Sequence, residues 1–210
     1  MPRALPNIDY IDQDSNPTID SGSSMYMIPY FKDYDYFSNI ESRNNFIKGC
    51  EKLVRTNDRY NKYISYLKKQ IKLNKCQFLS NLTDEDCSIE MHHGPIFTLY
   101  EICDIVLDYY IKKKWKITTF RIADTVLEEH RKNRIQVVML STTVHEEVHD
   151  REIFINVKQA WGDINAFVKK YGPTFSEHIK EKYNKYLDKC LIMDSDSYDI
   201  LKVNEKVLMK

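Results

Sequence analysis

Four of the six histidines in this chain fall into two short clusters. His92 and His93 are adjacent in I-E-M-H-H-G-P, and His145 and His149 are four residues apart in V-H-E-E-V-H. A spacing of four places two imidazoles on one face of a helix, where they can bind one metal ion. Successive residues of a strand point to opposite faces, so the first pair can divide its roles between metal and substrate. The clusters predict three histidines around a divalent ion and a fourth that is free to act as a base.

The second cluster also matches the H-E-x-x-H motif of zincin metallopeptidases. In that interpretation His145 and His149 bind zinc, and Glu146 activates the attacking water. A third ligand would come from downstream, with Glu177 or Glu181 as the candidates. The charged residues around the motif disfavour this interpretation, and it leaves the first histidine cluster without a role.

The chain resembles the HNH endonucleases, in which two strands and a helix, the ββα-metal motif, surround one divalent ion. The first strand of that motif ends in an acidic residue, a spacer and two histidines, as in residues 90–93, Glu-Met-His-His. The second strand and helix contain an asparagine, apolar residues, a turn and His-x-x-x-His. Residues 136–149 follow this pattern, with Gln136 at the asparagine position and Asn133 as the alternative.

The resemblance implies metal-dependent hydrolysis of phosphodiester bonds in DNA. The implied ligands of the divalent ion (Mg²⁺, Mn²⁺ or Zn²⁺) are His92, His145 and His149. The general base would be His93, since a neutral imidazole with a pKa near ~6.5 can take a proton from water at cellular pH. The roles of His92 and His93 remain interchangeable at this level. Glu90 would orient a histidine by hydrogen bonding, and Gln136 would brace the loop.

A non-catalytic protein that retains this fold is the alternative interpretation. Four histidines around one zinc ion would form a structural centre, because no position would remain for a substrate. Such a protein would act by binding a partner or a component of a virion. A composition rich in Lys, Asn, Ile and Tyr, with only 5 Gly, is typical of an AT-rich genome and favours a bacteriophage or a low-GC bacterium.

Periodicity and the resemblance together predict an α+β, predominantly helical fold, in which a helical hairpin interrupts the ββα-metal motif and further helices flank it. The hairpin would occupy the insertion 98–134. Its first helix begins at Thr98, which forms a capping box with Glu101. Its second helix begins at Thr118 or Thr119. There Phe120 is expected on the apolar face and His130 on the surface.

Four segments are predicted along the chain. Residues 1–24 form a flexible acidic arm, which is a candidate site for a phage or host protein partner. Residues 25–85 contain an aromatic-rich segment and basic helices. The HNH-like motif with its insertion spans 86–156. Residues 157–210 contain C-terminal helices, one of which ends at Gly172-Pro173, and a tail.

The net charge of zero conceals an uneven distribution of charge. Basic residues recur between Arg43 and Lys75, interleaved with Tyr60, Tyr63 and Tyr66. This pattern fits contacts with a DNA backbone. It equally fits amphipathic helices whose lysines are solvated and whose apolar residues are core.

Targeting signals and disulfides are not expected from the sequence. No apolar run approaches the ~20 residues of a membrane span. The 5 cysteines are scattered without C-x-x-C spacing, which indicates reduced thiols. These features predict a cytoplasmic protein, located in the host cytoplasm if a phage encodes it.

Overall fold

The structure, a computed structural model, describes residues 31–79, 81–150 and 152–192. The predicted arm at 1–24 and the tail beyond residue 192 lie outside these ranges. A short 3₁₀ helix, Tyr34–Ser38, precedes the regular elements. In chain order these elements are α1 (Ile40–Arg55), α2 (Asp58–Lys69), β1 (Ile89–His93), α3 (Leu99–Lys112), α4 (Thr119–Arg131), β2 (Val137–Ser141), α5 (Thr142–His149), α6 (Ile164–Tyr171) and α7 (Glu177–Ile192).

The two strands form an antiparallel pair at the centre of the described fold. Their register aligns Ile89 with Ser141 and His93 with Val137. All five residues of β2 are buried, which explains why this strand is apolar on both faces. The prediction of an α+β, predominantly helical chain is therefore confirmed.

The connection between the strands is the helical hairpin that the sequence predicts. The Thr98 side chain accepts a hydrogen bond from the backbone N–H of Glu101, and the Glu101 side chain accepts one from Thr98. After α3 the chain reverses at Lys114, whose φ of 54° lies in the left-handed region. The Trp115 N–H then donates to the Tyr110 carbonyl at 3.0 Å, which satisfies a carbonyl of the last turn.

Two predictions for α4 were wrong. His130 is only 1% exposed, because the buried face of α4 includes Glu129 and His130 as well as its apolar residues. Phe120 is 72% exposed, since it lies beside the buried stripe of the helix and not within it.

Glu129, which precedes His130, is a charged residue that is buried in the core. Its carboxylate is 1% exposed and accepts hydrogen bonds from Lys170 at 2.5 Å and from the Tyr171 hydroxyl at 3.0 Å. Arg134 lies 3.5 Å away. A buried carboxylate requires such partners, and here they join α4 to α6.

Two of the three interleaved tyrosines, all of which lie in α2, are buried, and Tyr66 is partly buried. Tyr60 and Tyr63 are 5% and 7% exposed, whereas Lys48, Lys52 and Lys62 are exposed. The alternation therefore reflects amphipathic helices, and these two rings are not available to stack on nucleotide bases.

None of the helices within the described ranges is long and apolar enough to cross a lipid bilayer. All five cysteines are free thiols.

We expect Gly162→Ala to lower the free energy of unfolding by roughly 2–4 kcal/mol. Gly162 has a φ of +121°, and an added Cβ would lie 2.3 Å from the Ile135 carbonyl oxygen. The clash would disturb the preceding Trp161, whose backbone exchanges two 2.8 Å hydrogen bonds with Val137 of β2. Urea denaturation measures the loss.

Gly49→Ala is the matched control. Its added Cβ would lie 3.6 Å from the nearest atom, a methyl of Thr119, and Gly49 is inside α1. This variant should be neutral or more stable by roughly 0.5–1 kcal/mol. Equal effects of the two substitutions would contradict the role assigned to Gly162.

Candidate metal centre

Three histidines from β1 and α5 converge at one point of the structure. One ring nitrogen each from His92, His145 and His149 lies within 4.8 Å of the other two. The α5 helix begins directly after β2, beside Ile89 at the start of β1, and its histidines meet His92 further along that strand. The strand pairing therefore brings together residues that are more than fifty positions apart.

Hydrogen bonding fixes which nitrogen of His145 faces the cluster. Its Nδ1 lies 2.8 Å from a carboxylate oxygen of Glu90, which can only accept, so Nδ1 carries the proton. The lone pair of His145 is then on Nε2, which lies 3.1 Å from Nε2 of His149. A carboxylate that holds the second nitrogen of a histidine is the usual support of a metal ligand.

The donor set fits a divalent ion of the zinc type. Zinc–nitrogen bonds of about 2.0–2.1 Å place the ligand nitrogens of a tetrahedral site roughly 3.4 Å apart. The nitrogens of His145 and His149 are 3.1 Å apart, and all three ligand nitrogens lie within 4.8 Å of one another. Burial, followed by the proximity of His145 and His149, lowers the pKa of His92 to about 4. Its imidazole is therefore neutral near pH 7, which is the form that binds a metal.

His93 points to the opposite face of β1. Its ring stacks on Tyr60, with the ring centroids 5.9 Å apart, and its Nε2 lies 2.9 Å from Nε2 of His130. The Nδ1 of His130 lies 2.8 Å from the Val126 carbonyl, which can only accept. His130 thus carries its proton on Nδ1, and His93 donates from Nε2.

Burial lowers the pKa of both histidines of this inner pair. The pKa of His130 falls to about 4, and that of His93 falls well below its ordinary value, with the nearby His130 as a further cause. The structure thus brings together three of the four predicted histidines. It places His93, the predicted base, on the other side of β1, where the ring is 6% exposed.

Gln136 occupies a buried position beside this strand pair. Its side-chain Nε2 donates to the Val157 carbonyl at 3.3 Å, and its backbone carbonyl accepts from the Gly94 N–H at 3.3 Å. These bonds connect the loop after β1 to the segment after α5. The Oε1 atom is buried without a hydrogen-bond partner among the described residues.

The zincin ligands predicted downstream lie outside the histidine cluster. Glu177 forms an ion pair with Lys180 at 2.6 Å, and Glu181 is not among the grouped ligand atoms of the described residues. The third histidine comes instead from β1, upstream of the H-E-x-x-H segment.

An open groove of about 630 Å³ borders the cluster on the side of α7. Nothing in the local sequence predicted that α7 would line this groove, although positions 181, 185 and 189 share a helix face. His178 is exposed and lines the same groove as His149. Polar side chains of the groove include His92, His149, His178, Glu181, Lys185 and Lys189.

Fold and site together define an α+β, predominantly helical protein with a three-histidine cluster on a strand and a helix. A family model described as Bacteriophage G278-like virion protein matches residues 7–210, so the chain belongs to this family. No curated protein and no solved structure matches the chain. The match supports the predicted phage origin, but it is not a match to HNH endonucleases. The description refers to the phage particle, whereas the sequence predicted the cytoplasm.

We expect the stability of the protein to fall as the pH drops from about 6.5 to about 4. The pKa of His130 is lowered on folding, so its contribution is complete above its unfolded pKa and is lost as the pH falls to about 4. The loss from this group alone is roughly 3 kcal/mol. Urea denaturation across this pH range, on wild type and His130→Gln, measures it.

The variant should be less stable at pH 7 and should depend less on pH, because it lacks the titrating ring. His178→Gln is the control, since His178 is exposed and its replacement should leave the pH profile unchanged. Parallel profiles for wild type and His130→Gln would contradict the assignment.

Proposed function

We propose that this chain is a non-catalytic component of the phage particle in which a divalent ion joins β1 to α5. The proposal retains an HNH-like ββα arrangement but gives the metal a structural role. The observation that carries it is the convergence of His92, His145 and His149, with Glu90 fixing the orientation of His145. Zinc fits this all-nitrogen donor set better than Mg²⁺, which prefers oxygen.

The position of His93 supports the non-catalytic interpretation. A general base must reach the proton it abstracts. The Nε2 of His93 is engaged with His130 on the face of β1 opposite the cluster, and Tyr60 stacks on its ring. Membership in a family of virion proteins agrees with a structural role.

The limited packing of α5 supports a structural role for the metal. The helix has eight residues, of which only Val144 is buried, with Val148 partly buried. Short helices with so little buried surface are marginal on their own. A metal ion bound by both His145 and His149 and by His92 would attach this helix to the strand pair.

We expect Zn²⁺ to raise the unfolding midpoint of the metal-free protein by about 5–10 °C, because a ligand that binds only the folded state stabilises it. Thermal denaturation in EDTA and after addition of Zn²⁺ measures the shift. His149→Ala should lose most of it, because one of three ligands is removed.

His178→Ala serves as the control for this prediction. This histidine lines the adjacent groove but is outside the cluster, so the zinc-induced shift should persist. A shift of equal size in His149→Ala would locate zinc elsewhere, and no shift in the wild type would overturn the metal centre.

A metal-dependent nuclease is the second candidate function. It is favoured by the three-histidine donor set, since catalytic zinc sites use three protein ligands and keep one position open. The cluster also borders the groove lined by Lys185 and Lys189, whose charges suit a phosphodiester. Bound metal would supply charge neutralisation at the phosphate, and DNA would be the substrate.

A plasmid-nicking assay with Mg²⁺, Mn²⁺, Zn²⁺ or EDTA separates the two candidates. The structural proposal predicts no nicking under any of these conditions by a protein that still binds metal. Nicking that requires metal and is abolished by His145→Ala would establish the nuclease. In that case, loss of activity in His93→Ala, with metal binding retained, would identify His93 as the base.

A further inference from the structure

We infer that the turn between α3 and α4 carries a binding site for single-stranded nucleic acid. The site is an open cleft of about 480 Å³, and none of the three clustered histidines lines it. We call it the basic aromatic cleft. Its lining residues are Tyr110, Lys114, Trp115, Lys116 and Arg121. This inference is independent of the metal proposed above.

The chain segment that forms the cleft is rich in basic residues. Residues 109–123 contain five basic residues and no acidic residue, in a chain whose net charge is zero. The carboxylates that flank this segment in the sequence, Asp108 and Asp124, form ion pairs with Arg43 and Arg59 respectively. Phosphate groups are the natural complement of such a basic segment.

Trp115 provides an exposed aromatic ring at this basic surface. It is 47% exposed, although Tyr109 and Tyr110 contact it edge-on with ring centroids at 5.7 Å and 5.1 Å. The Tyr34 hydroxyl donates to its carbonyl at 3.3 Å. The ring is thus held in place with part of its surface available, which is the arrangement on which unpaired bases stack.

Lys114 lies at the end of α3, at the rim of the cleft. Lys114 has a φ of 54°, a left-handed conformation at the end of α3 that favours glycine or asparagine. A lysine at this position is conformationally costly, and its exposed side chain lines the cleft. Because Lys72 shares this backbone conformation, it is the location of the Lys114 side chain at the cleft, and not its φ, that bears on binding.

The shape of the surface favours a nucleic acid over a membrane. A membrane-binding surface presents apolar side chains that can insert into lipid. Here the half-exposed indole lines a concave cleft together with three basic side chains. A single-stranded nucleic acid offers both a flat base for the indole and phosphates for the cations.

Tryptophan fluorescence tests the inference directly. The chain has 2 tryptophans, of which Trp161 is buried at 4% exposure. Titration of the full chain with an oligothymidylate should quench the emission of Trp115 saturably. Trp115→Phe retains only the Trp161 emission, which should not respond. Trp115→Ala should weaken binding, measured by anisotropy of a labelled oligonucleotide, by roughly tenfold.

Lys114→Gly separates binding from folding. The substitution relieves the left-handed backbone, so the unfolding midpoint should not fall. Affinity should nevertheless decrease, and the slope of log K against log salt concentration should fall by about 0.7, corresponding to one phosphate contact. Lys72→Gly is the matched control, because Lys72 is exposed and also has a positive φ, of 64°. Its affinity and salt slope should remain those of the wild type.

Several results would overturn the inference. These are no binding at low salt, equal weakening by Lys72→Gly, or binding of heparin as tight as that of the oligonucleotide without a specific response of Trp115. Tighter binding to vesicles containing anionic lipid would assign the surface to a membrane. The affinity for the oligonucleotide should be the same in EDTA and in Zn²⁺, so this test does not depend on the proposed metal centre.

Discussion

The antiparallel pairing of β1 with β2 is the constraint on which the rest of the structure depends. Two isolated strands are marginal in water, so this pair requires cover from the surrounding helices and loops. Its register decides which residues meet across the strands, and its pleat sends His92 and His93 to opposite faces. The direct continuation of β2 into α5 then determines where His145 and His149 lie.

The two faces of β1 give the same side chain two different environments. On one face, three imidazoles border an open groove, and a carboxylate orients one of them. On the other face, His93 and His130 are enclosed by Tyr60 and Tyr63 and bond to each other as neutral rings. The first arrangement is suited to binding an ion. The second is suited to filling a polar gap in the core, because the ring N–H of each of the two histidines finds an acceptor.

The helical hairpin separates two chemically distinct surfaces of the chain. Its interior side contributes His130 and Glu129 to the core behind the strands, whereas its turn presents Trp115 and several basic residues to solvent. The metal centre and the contact with nucleic acid that we propose use different elements of the chain, so neither would require the other.

The sequence by itself determined the local features of this protein. These include the capping box at Thr98, the helical hairpin, the end of α6 at Tyr171 and the pairing of His145 with His149 on one helix face, because each depends on residues within a few positions. Only the tertiary structure decided that His92, and not His93, joins this pair and that α7 lines the adjacent groove. It also buried His130 and exposed Phe120, contrary to expectation. Burial and long-range contact depend on how the elements pack, and local spacing carries no record of that packing.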